Sequence, residues 1–318
     1  MKNIYLNIYK PNFTNLKKVK KSIENNNVIG LPTETVYGLA ANAYSNNAIK
    51  KIFYLKKRPS FNPLIVHFKS LDDMRRDVVL NDKFLKLYKV LCPGPITFIL
   101  KKNPKSKISK YVTAGKKTIA VRIPKHNVAR KLLKLLKVPL AAPSANISSK
   151  LSPTCASDVV DEFGDRVKLI LDGGRCNVGL ESTIIDLTSE PTILRQGSIT
   201  SEKIYKILKK KIKVNKKLKK NISPGQLKSH YSPGIPVFMD RKKPNSGEAF
   251  ITFGKQFKNA KNTFNLSTKG NLKKAANTLY ATMRKIKKRG FESIAVCKIP
   301  NHGIGKAINE RLKKASYK

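Results

Sequence analysis

Apolar and polar positions alternate along the first two thirds of the chain in a pattern that predicts strands interleaved with helices. Short apolar runs of strand type are separated by segments whose apolar residues recur every three or four positions, as one face of an amphipathic helix requires. The clearest helix-like segments are Leu16 to Ile23, Phe84 to Leu91 and Val128 to Leu136. Alternating strands and helices are typical of α/β proteins, so we predict one α/β domain over residues 1–207.

The pattern then gives way to charged and turn-forming residues. Lysine dominates residues 209–220, and Asn221-Ile-Ser-Pro-Gly225 follows with further proline turns. Such a composition is typical of a linker, which we place at residues 208–235. At 318 residues the chain is also longer than a single hydrophobic core usually supports, so we expect a second domain over residues 236–318.

The C-terminal part shows the same pattern on a smaller scale. Apolar runs at Ala249 to Phe253 and Ser293 to Val296 bracket an amphipathic stretch, Leu272 to Lys288, which Gly290 closes as a helix cap. A final helix is predicted over Gly305 to Lys314. Together these segments predict a small Rossmann-like α/β domain. Since no Gly-x-Gly-x-x-Gly accompanies it, the sequence gives no reason to assign a dinucleotide there.

A polar turn interrupts the first domain at Leu31-Pro-Thr-Glu-Thr-Val-Tyr-Gly38. Val28 to Leu31 is predicted to be a short buried strand, which Pro32 ends because proline lacks the backbone N–H that a sheet requires. Ligands of open α/β sheets bind beyond the carboxyl ends of strands, so Thr33-Glu-Thr35 is a candidate binding turn. The alternative is an ordinary turn whose threonine caps a following helix.

Cations gather where the next predicted helix ends. Asn47 to Lys57 has helical apolar spacing, a proline follows, and Leu64 to Phe68 has the composition of a strand. Lys56 and Arg58 therefore lie at a helix-to-strand corner, where they could bind a phosphate-bearing substrate. The alternative is a solvated lysine-rich helix end that the helix dipole favours. For His67, at the strand end, a packed structural histidine and a ligand contact both remain open.

Small and hydroxyl-bearing residues follow another apolar strand, in Leu140-Ala-Ala-Pro-Ser-Ala-Asn-Ile-Ser-Ser149. Small residues let a backbone approach a ligand, and Ser144 and Asn146 supply neutral donors and acceptors. A plain loop rich in serine, asparagine and proline is the alternative.

Arg122 lies in the alternating run Thr118-Ile-Ala-Val-Arg-Ile123. At a strand end its guanidinium could grip an amino-acid carboxylate through two parallel hydrogen bonds. The alternative is a solvated charge on the polar face of the strand.

These motifs occur in a fixed order, which is Pro-Thr-Glu-Thr-x-Tyr-Gly-Leu from Pro32, Lys-x-Arg-Pro from Lys56, Asn-Pro-Leu-x-x-His from Asn62 and Pro-Ser-Ala-Asn from Pro143. In that order they resemble the YrdC-type threonylcarbamoyl-AMP synthases. Further similar segments extend over nearly the whole chain and are Ala120-Val-Arg-Ile-Pro124, Leu171-Asp-Gly-Gly174, Glu181-Ser-Thr-Ile-Ile-Asp186, Leu194-Arg-Gln-Gly197, Ser223-Pro-Gly225 and His230-Tyr-Ser-Pro233. The linker and C-terminal stretch resemble the family's long form. This implies a YrdC-like twisted open sheet with helices, then a linker and a smaller Rossmann-like α/β domain.

The resemblance implies a reaction that converts L-threonine, bicarbonate and ATP, with Mg²⁺, into L-threonylcarbamoyl-adenylate and pyrophosphate. A separate transferase complex then uses the product to make threonylcarbamoyladenosine (t6A) in tRNA. In this reaction the threonine amine captures bicarbonate and the carbamate attacks the α-phosphorus of ATP, so positioning and charge stabilisation matter most. The chain has neither a serine-hydrolase elbow nor a convincing catalytic cysteine, in keeping with such chemistry.

The resemblance also assigns site residues. Lys56 and Arg58 match the signature Lys-x-Arg pair and are the expected catalytic residues. The implied ATP contacts are Lys56, Arg58, Asn62, Thr118, Ser144, Asn146, Ser152, Arg195 and Tyr231. The implied threonine contacts are Thr35, His67, Arg122, Ala142 and Ser182. No side chain is implied as a metal ligand, and Mg²⁺ is expected to be held largely by ATP and water.

Tyr231 is similar to the family's linker tyrosine, which would fold over the nucleotide. A turn-anchoring tyrosine between prolines is the alternative. Family members more often carry methionine after the linker's Pro-Gly, where this chain has Gln226. We hypothesise that the second domain gates the site, because a lid tethered to it can close over ATP and exclude water.

The net charge of +47 suggests nucleic-acid binding as a different function. Of the 66 cationic residues only 12 are arginine, and the lysines are spread over both domains. Base-reading proteins favour arginine and interleave aromatic residues, so the pattern predicts salt-sensitive, nonspecific binding of RNA or DNA. A basic RNA-binding protein on the same fold without catalysis is the alternative function. A carbamoyl-transferring maturation enzyme is a third, but the acylphosphatase segment and zinc-finger cysteines expected of it are missing.

Cysteine and histidine are sparse. Cys92, Cys155, Cys176 and Cys297 lack Cys-x-x-Cys spacing, which predicts neither zinc nor a disulfide framework and indicates a reducing compartment. The four histidines form no His-x-x-x-His pair, which argues against a transition-metal centre. The first 20 residues lack an apolar core and no run of about 18 apolar residues occurs, so we expect a cytoplasmic protein without membrane contact.

Overall fold

The computed structural model describes residues 6–214, 230–257 and 262–317, which form a large and a small sheet with helices around them. The strands of the large sheet are β1 (Ile8–Tyr9), β2 (Ile29–Leu31), β3 (Gly38–Asn42), β4 (Ile65–His67), β5 (Val78–Val79), β6 (Ile96–Lys102), β7 (Thr118–Arg122), β8 (Leu140–Ala141), β9 (Ile170–Leu171), β10 (Thr183–Asp186), β11 (Thr192–Arg195) and β12 (Lys213–Val214). The helices beside it are α1 (Phe13–Glu24), α2 (Asn46–Lys56), α3 (Leu71–Arg75), α4 (Asp82–Leu91), α5 (Lys110–Thr113), α6 (Asn127–Leu135), α7 (Ala156–Phe163) and α8 (Ser201–Leu208).

The large sheet is mixed and open. Its strand order is β1-β9-β2-β3-β8-β4-β7-β6-β10-β11-β12, with β5 beside β6. Successive residues of β3 belong to different apolar clusters. Leu39 and Ala41 pack into one cluster with α2 and α4, whereas Ala40 packs with α1 and α6. Because side chains alternate across a strand, helices cover both faces of the sheet.

The small sheet is parallel throughout, in the order β13-β16-β14-β15. Its elements are β13 (Val237–Phe238), β14 (Ala249–Thr252), β15 (Thr263–Asn265), α9 (Leu272–Lys288), β16 (Ile294–Val296) and α10 (Gly305–Ala315). The two sheets and their helices confirm the predicted fold class.

The periodic segments folded as predicted, and α9 has the predicted bounds. Gly290, just past its last turn, has a φ of +82°, which glycine adopts without strain. The turn after β2, by contrast, does not cap a helix. It leads directly into β3, which pairs antiparallel with β2 through Ile29 and Ala40.

The helices of the small sheet pack directly against the first part of the chain. Leu151 and Leu180 share an apolar cluster with Leu279 of α9. At Gly179 a Cβ atom would lie 2.5 Å from the Cα of Asn277, so glycine permits the close approach of α9. The predicted linker over 208–235, including Ser223-Pro-Gly225, falls largely outside the described residues. The predicted domain boundaries therefore stay predictions.

No helix in the described residues is both long and apolar enough to cross a membrane.

Candidate active site

A cavity opens over one face of the large sheet beside β4 and β7. Ile65 and His67 both face it, because residues two apart on a strand share a face. Among the described residues, the predicted threonine contacts that line it are Thr35, His67, Arg122, Ala142 and Ser182. The predicted ATP contacts that line it are Arg58, Ser144, Arg195 and Tyr231. The other lining residues are Thr33, Val36, Gly38, Ile65, Pro143, Glu181 and His230.

The turn after β2 forms one wall of the cavity. The Thr33 hydroxyl organises the turn because it donates to the Val36 carbonyl at 2.6 Å and accepts from the Thr35 amide at 3.2 Å. Backbone hydrogen bonds join this wall to the loop after β8, from Leu39 N to Pro143 O and from Ala145 N to Tyr37 O. The prediction of a turn at this place is confirmed, and Thr33 and Thr35 face the cavity.

Arg122 ends β7 and is only 4% exposed. Its guanidinium donates to the Thr35 hydroxyl at 2.9 Å and to the Gly94 carbonyl at 3.3 Å. It also forms a 2.8 Å ion pair with Glu34, whose side chain does not line the cavity. The side chain is therefore a fixed buried cation, and the alternative of a solvated charge on the strand face is wrong.

His67 lies beside Arg122, since β4 and β7 pair these two residues in parallel register. The imidazole is buried, and its Nδ1 has no hydrogen-bond partner among the residues that the structure describes. Burial, reinforced by the Arg122 charge, lowers the pKa of His67 to about 3. The imidazole is therefore neutral near neutral pH and can exchange hydrogen bonds with a ligand.

Lys56, at the end of α2, does not line the cavity although it is the expected catalytic lysine. Its ammonium group is buried and donates to the backbone carbonyls of Ser144 and Asn146. Burial is the main cause that lowers the pKa of Lys56 well below its usual value, and the nearby Arg58 charge lowers it further. The alternative of a solvated helix end is wrong for Lys56, which holds the loop that carries Ser144 into the cavity.

Two further arginines that line the cavity add positive charge. Arg58 donates to the carbonyls of Asn62 and Pro63, at 3.0 and 2.9 Å. Arg195, at the end of β11, donates to the Ser182 carbonyl and hydroxyl, both at 3.0 Å. Arg58 and Arg195 are held in fixed positions by these hydrogen bonds, and such guanidinium groups can bind an anion.

Four other predicted ATP contacts lie outside the cavity lining. Asn62 is buried, and its carbonyl holds Arg58. The Asn146 amide donates to the carbonyls of Ile147 and Lys150 and shapes the loop. Thr118 begins β7, at the opposite end of that strand from Arg122, and pairs with Lys101. Ser152 donates to Glu181 behind the cavity wall.

Glu181 lines the cavity, although its role was not predicted from the sequence. Its carboxylate accepts hydrogen bonds from Ser152, from Tyr280 on α9 at 3.1 and 3.2 Å, and from Arg311 on α10 at 3.0 Å. Burial opposes its ionisation, but the charges of Arg311 and Arg195 outweigh it and hold the pKa of Glu181 at about 2. The side chain is therefore a carboxylate at neutral pH.

Tyr231 closes the cavity from the second half of the chain. Its ring stacks on Tyr280 with centroids 5.9 Å apart, and the Arg311 guanidinium lies 5.1 Å from its centroid. The ring is buried, and its backbone has a φ of +62°, a strained value for tyrosine. The prediction that this residue reaches the site is consistent with the geometry, and His230 lines the cavity next to it.

One signal in the sequence could have revealed the partners of Glu181. On α10, Arg311 shares the buried face with Ala307, Ile308 and Leu312. A charged residue on the apolar face of an amphipathic helix requires a buried partner. The identity of that partner, 130 residues away, is not encoded locally.

No group of three or more His, Cys, Asp or Glu side chains in the described parts of the chain is arranged to hold a metal ion.

Two family models together cover most of the chain. Residues 21–197 match the one described as Telomere recombination, and residues 199–316 match the one described as Threonylcarbamoyl-AMP synthase, C-terminal domain. The chain belongs to the threonylcarbamoyl-AMP synthase family.

Relatives and a solved structure agree with this membership. Threonylcarbamoyl-AMP synthase of Pyrococcus abyssi is 35% identical over 92% of this chain and 92% of its own length, and that of Bacillus subtilis is 35% identical over 92% and 90%. The crystal structure of P. abyssi Sua5 complexed with L-threonine matches with a TM-score of 0.88 and 32% identity, over 97% of this chain and 96% of that one. The resemblance to the long form of this synthase family is thereby confirmed. The alternative of a non-catalytic RNA-binding protein receives no support.

Proposed function

We propose that this protein is an L-threonylcarbamoyladenylate synthase that makes threonylcarbamoyl-AMP and pyrophosphate from L-threonine, bicarbonate and ATP. The observation that carries the proposal is that one cavity is lined both by Arg122 with neutral His67 and by Arg58 with Arg195. We place threonine at the end with Arg122 and His67, and the triphosphate at the end with Arg58 and Arg195. An amino acid and a polyphosphate can therefore bind side by side.

At the first end, Arg122 pairs with the threonine carboxylate, and Thr35 and Ala142 shape the pocket around the side chain. His67 adds a hydrogen bond without adding a second charge. Because Arg122 and His67 are both buried and fixed, threonine is held in a single orientation with its amine towards the nucleotide. That amine captures bicarbonate, and the product is a carbamate and water.

At the second end, Arg58 and Arg195 stabilise the phosphates while a carbamate oxygen attacks the α-phosphorus. The new oxygen–phosphorus bond forms as the bond to the bridging oxygen breaks, and pyrophosphate leaves with its electron pair. Ser144 donates from the loop that Lys56 and Asn146 hold in place, and Tyr231 covers the nucleotide. Arg58→Ala should abolish turnover with the fold intact, because no other group replaces this fixed charge.

Ser182 completes the proposed threonine contacts. Asn62, Thr118 and Ser152 do not line the cavity, and we propose them as contacts of the part of the nucleotide that extends beyond it. Magnesium enters as MgATP, with the ion held by phosphate and water. The carboxylate that faces the cavity, Glu181, already accepts hydrogen bonds from Ser152, Tyr280 and Arg311, which suits it poorly to serve as a metal ligand.

The product would pass to a separate tRNA threonylcarbamoyl transferase complex for t6A formation. We place the enzyme in the cytoplasm, in keeping with its four free cysteines. Nonspecific nucleic-acid binding accompanies the +47 charge, and catalysis does not depend on it.

The test is to incubate the protein with MgATP, L-threonine and ¹³C-bicarbonate and to analyse the products by mass spectrometry. The proposal predicts threonylcarbamoyl-AMP that carries one heavy carbon, and its loss in Arg58→Ala. Threonyl-adenylate without the label would overturn the proposal, because the carboxylate of threonine, not a carbamate, would then have attacked ATP.

A further inference from the structure

The second domain reaches the wall of the cavity through two buried side chains. Arg311 is 1% exposed and donates to Glu181 at 3.0 Å, and Tyr280 donates to the same carboxylate at 3.1 Å. Both come from helices that pack on the small sheet, whereas Glu181 lies two residues before β10 of the large sheet. A charged group that faces the cavity is thus bound by residues from the other domain.

The sign of this charge matters for the ligand. Glu181 lines the same cavity as Arg58 and Arg195, where the proposed function places a triphosphate. A bare carboxylate there would repel the phosphates, because charges inside a protein interact more strongly than charges in water. Arg195 donates its hydrogen bonds to Ser182 and already interacts with the Glu181 charge, so without Arg311 the carboxylate would compete more strongly with the phosphates for Arg195.

We propose that Arg311 is a positioning residue for nucleotide binding, supplied by the second domain, which neutralises Glu181 so that this wall accepts MgATP. The inference rests on the proposed function, because it requires a nucleotide in the cavity. It gives the second domain a role in the electrostatics of the site besides any gating. Tyr280 supports this role because its hydroxyl donates a hydrogen bond to the same carboxylate and its ring stacks on that of Tyr231.

A purely structural role for Arg311 makes a different prediction. If Arg311 only fastened the domains together, any loss of its bond to Glu181 would weaken the enzyme, whatever the charge left behind. If it neutralises Glu181, removal of the carboxylate charge should restore nucleotide binding even without the arginine. The two variants Arg311→Met and Arg311→Met/Glu181→Gln separate these roles, because replacement of both partners of a buried ion pair is tolerated far better than loss of one.

The experiment is titration calorimetry of MgATP with the full chain, comparing wild type, Glu181→Gln, Arg311→Met and the double variant. Lys306→Met is the matched control, because it breaks another ion pair between α10 and the first domain, with Glu202, on the surface. We expect Arg311→Met to weaken MgATP binding by about tenfold or more. The double variant should bind within about threefold of Glu181→Gln, and Lys306→Met should match wild type.

Steady-state kinetics gives a second readout. The KM for ATP should rise in Arg311→Met while the KM for threonine stays near its wild-type value, because Arg122 is held by Thr35, Gly94 and Glu34 and not by Glu181 or Arg311. Unchanged ATP affinity in Arg311→Met, or a double variant as weak as the single one, overturns the inference. If Arg311→Met fails to fold, the double variant provides the test. MgATP binding by the double variant that is about tenfold weaker than binding by Glu181→Gln also overturns the inference. If wild type itself fails to bind MgATP, the proposed function falls as well.

Discussion

The Lys56 ammonium group donates a hydrogen bond to the backbone carbonyl of Ser144, 88 residues further along the chain. A second bond from the same group goes to the Asn146 carbonyl. Lys56 is on the buried face of α2 with Ile49 and Ile52 and therefore ties that helix to the cavity loop. Lys56 therefore determines the shape of the loop that carries Ser144 into the cavity.

Replacement of Lys56 should therefore damage both the fold and the reaction. In Lys56→Met the two carbonyls lose a buried charged donor, so we expect the free energy of unfolding to fall by about 1–3 kcal/mol. Turnover should fall at least a hundredfold because Ser144 loses its position. Chemical denaturation and a pyrophosphate assay measure the two effects. Lys51→Met, on the exposed face of the same helix, is the control, and wild-type turnover in Lys56→Met would contradict this role.

Arg122→Lys tests the threonine end of the cavity. A lysine keeps the charge but cannot contact Thr35, Gly94 and Glu34 at once as the guanidinium does. We expect the KM for threonine to rise by about tenfold to a hundredfold, with the KM for ATP nearly unchanged. Initial rates at varied threonine measure this, with exposed Arg166→Lys as the control. An equal rise in both KM values would show that Arg122 does not select the threonine end.

His67 should stay neutral across the working pH range. Its pKa in the folded state is about 3, below its ordinary value of 6.5, so the unfolded chain binds the proton first as pH falls. The contribution of His67 to the free energy of unfolding is complete above about pH 6.5 and is lost as pH falls towards 3, by up to about 1.4 kcal/mol per pH unit.

Imidazole NMR of His67 checks the protonation state directly, and denaturation of wild type and His67→Gln checks the linkage. The stability gap between the two proteins should shrink below pH 6. A His67 resonance that titrates near pH 6.5 would contradict this account.

Much of the fold followed from the sequence because local periodicity determines local structure. The spacing in α9 and the proline after β2 act within a few residues, and both predictions succeeded. The turn at Thr33 was predicted as a candidate binding turn, with an ordinary helix-capping turn as the alternative, and the structure places Thr33 and Thr35 at the cavity. The strand after this turn was harder to predict, since pairing of β2 with β3 depends on the sheet and not on the turn.

Residues of the candidate site could be predicted only where they belong to a sequence motif. Arg58 and Arg122 were found through the resemblance and by chemistry, and the structure brings them to one cavity. Glu181 was missed because a carboxylate beside Ser182 acquires meaning only from Arg311 and Tyr280, which the chain supplies 130 and 99 residues later. The apolar face of α10 indicates that Arg311 needs a buried partner, but no local pattern identifies Glu181 as that partner.

The positive charge makes a prediction about nucleic acids. Lysines spread over the surface should bind RNA through counterion release, so the affinity should fall steeply, by about a hundredfold between roughly 50 and 200 mM salt. Fluorescence anisotropy with tRNA and an unrelated RNA measures this. The two RNAs should bind alike. A salt-independent preference for tRNA would show specific recognition instead.

Pyrophosphate release from MgATP, with threonine or bicarbonate omitted in turn, tests the central claim most directly. The account predicts release only when both are present, because the attacking group is the carbamate that they form together. Release that needs neither would identify a simple ATP pyrophosphohydrolase and would contradict the account, as would the absence of release from the complete mixture.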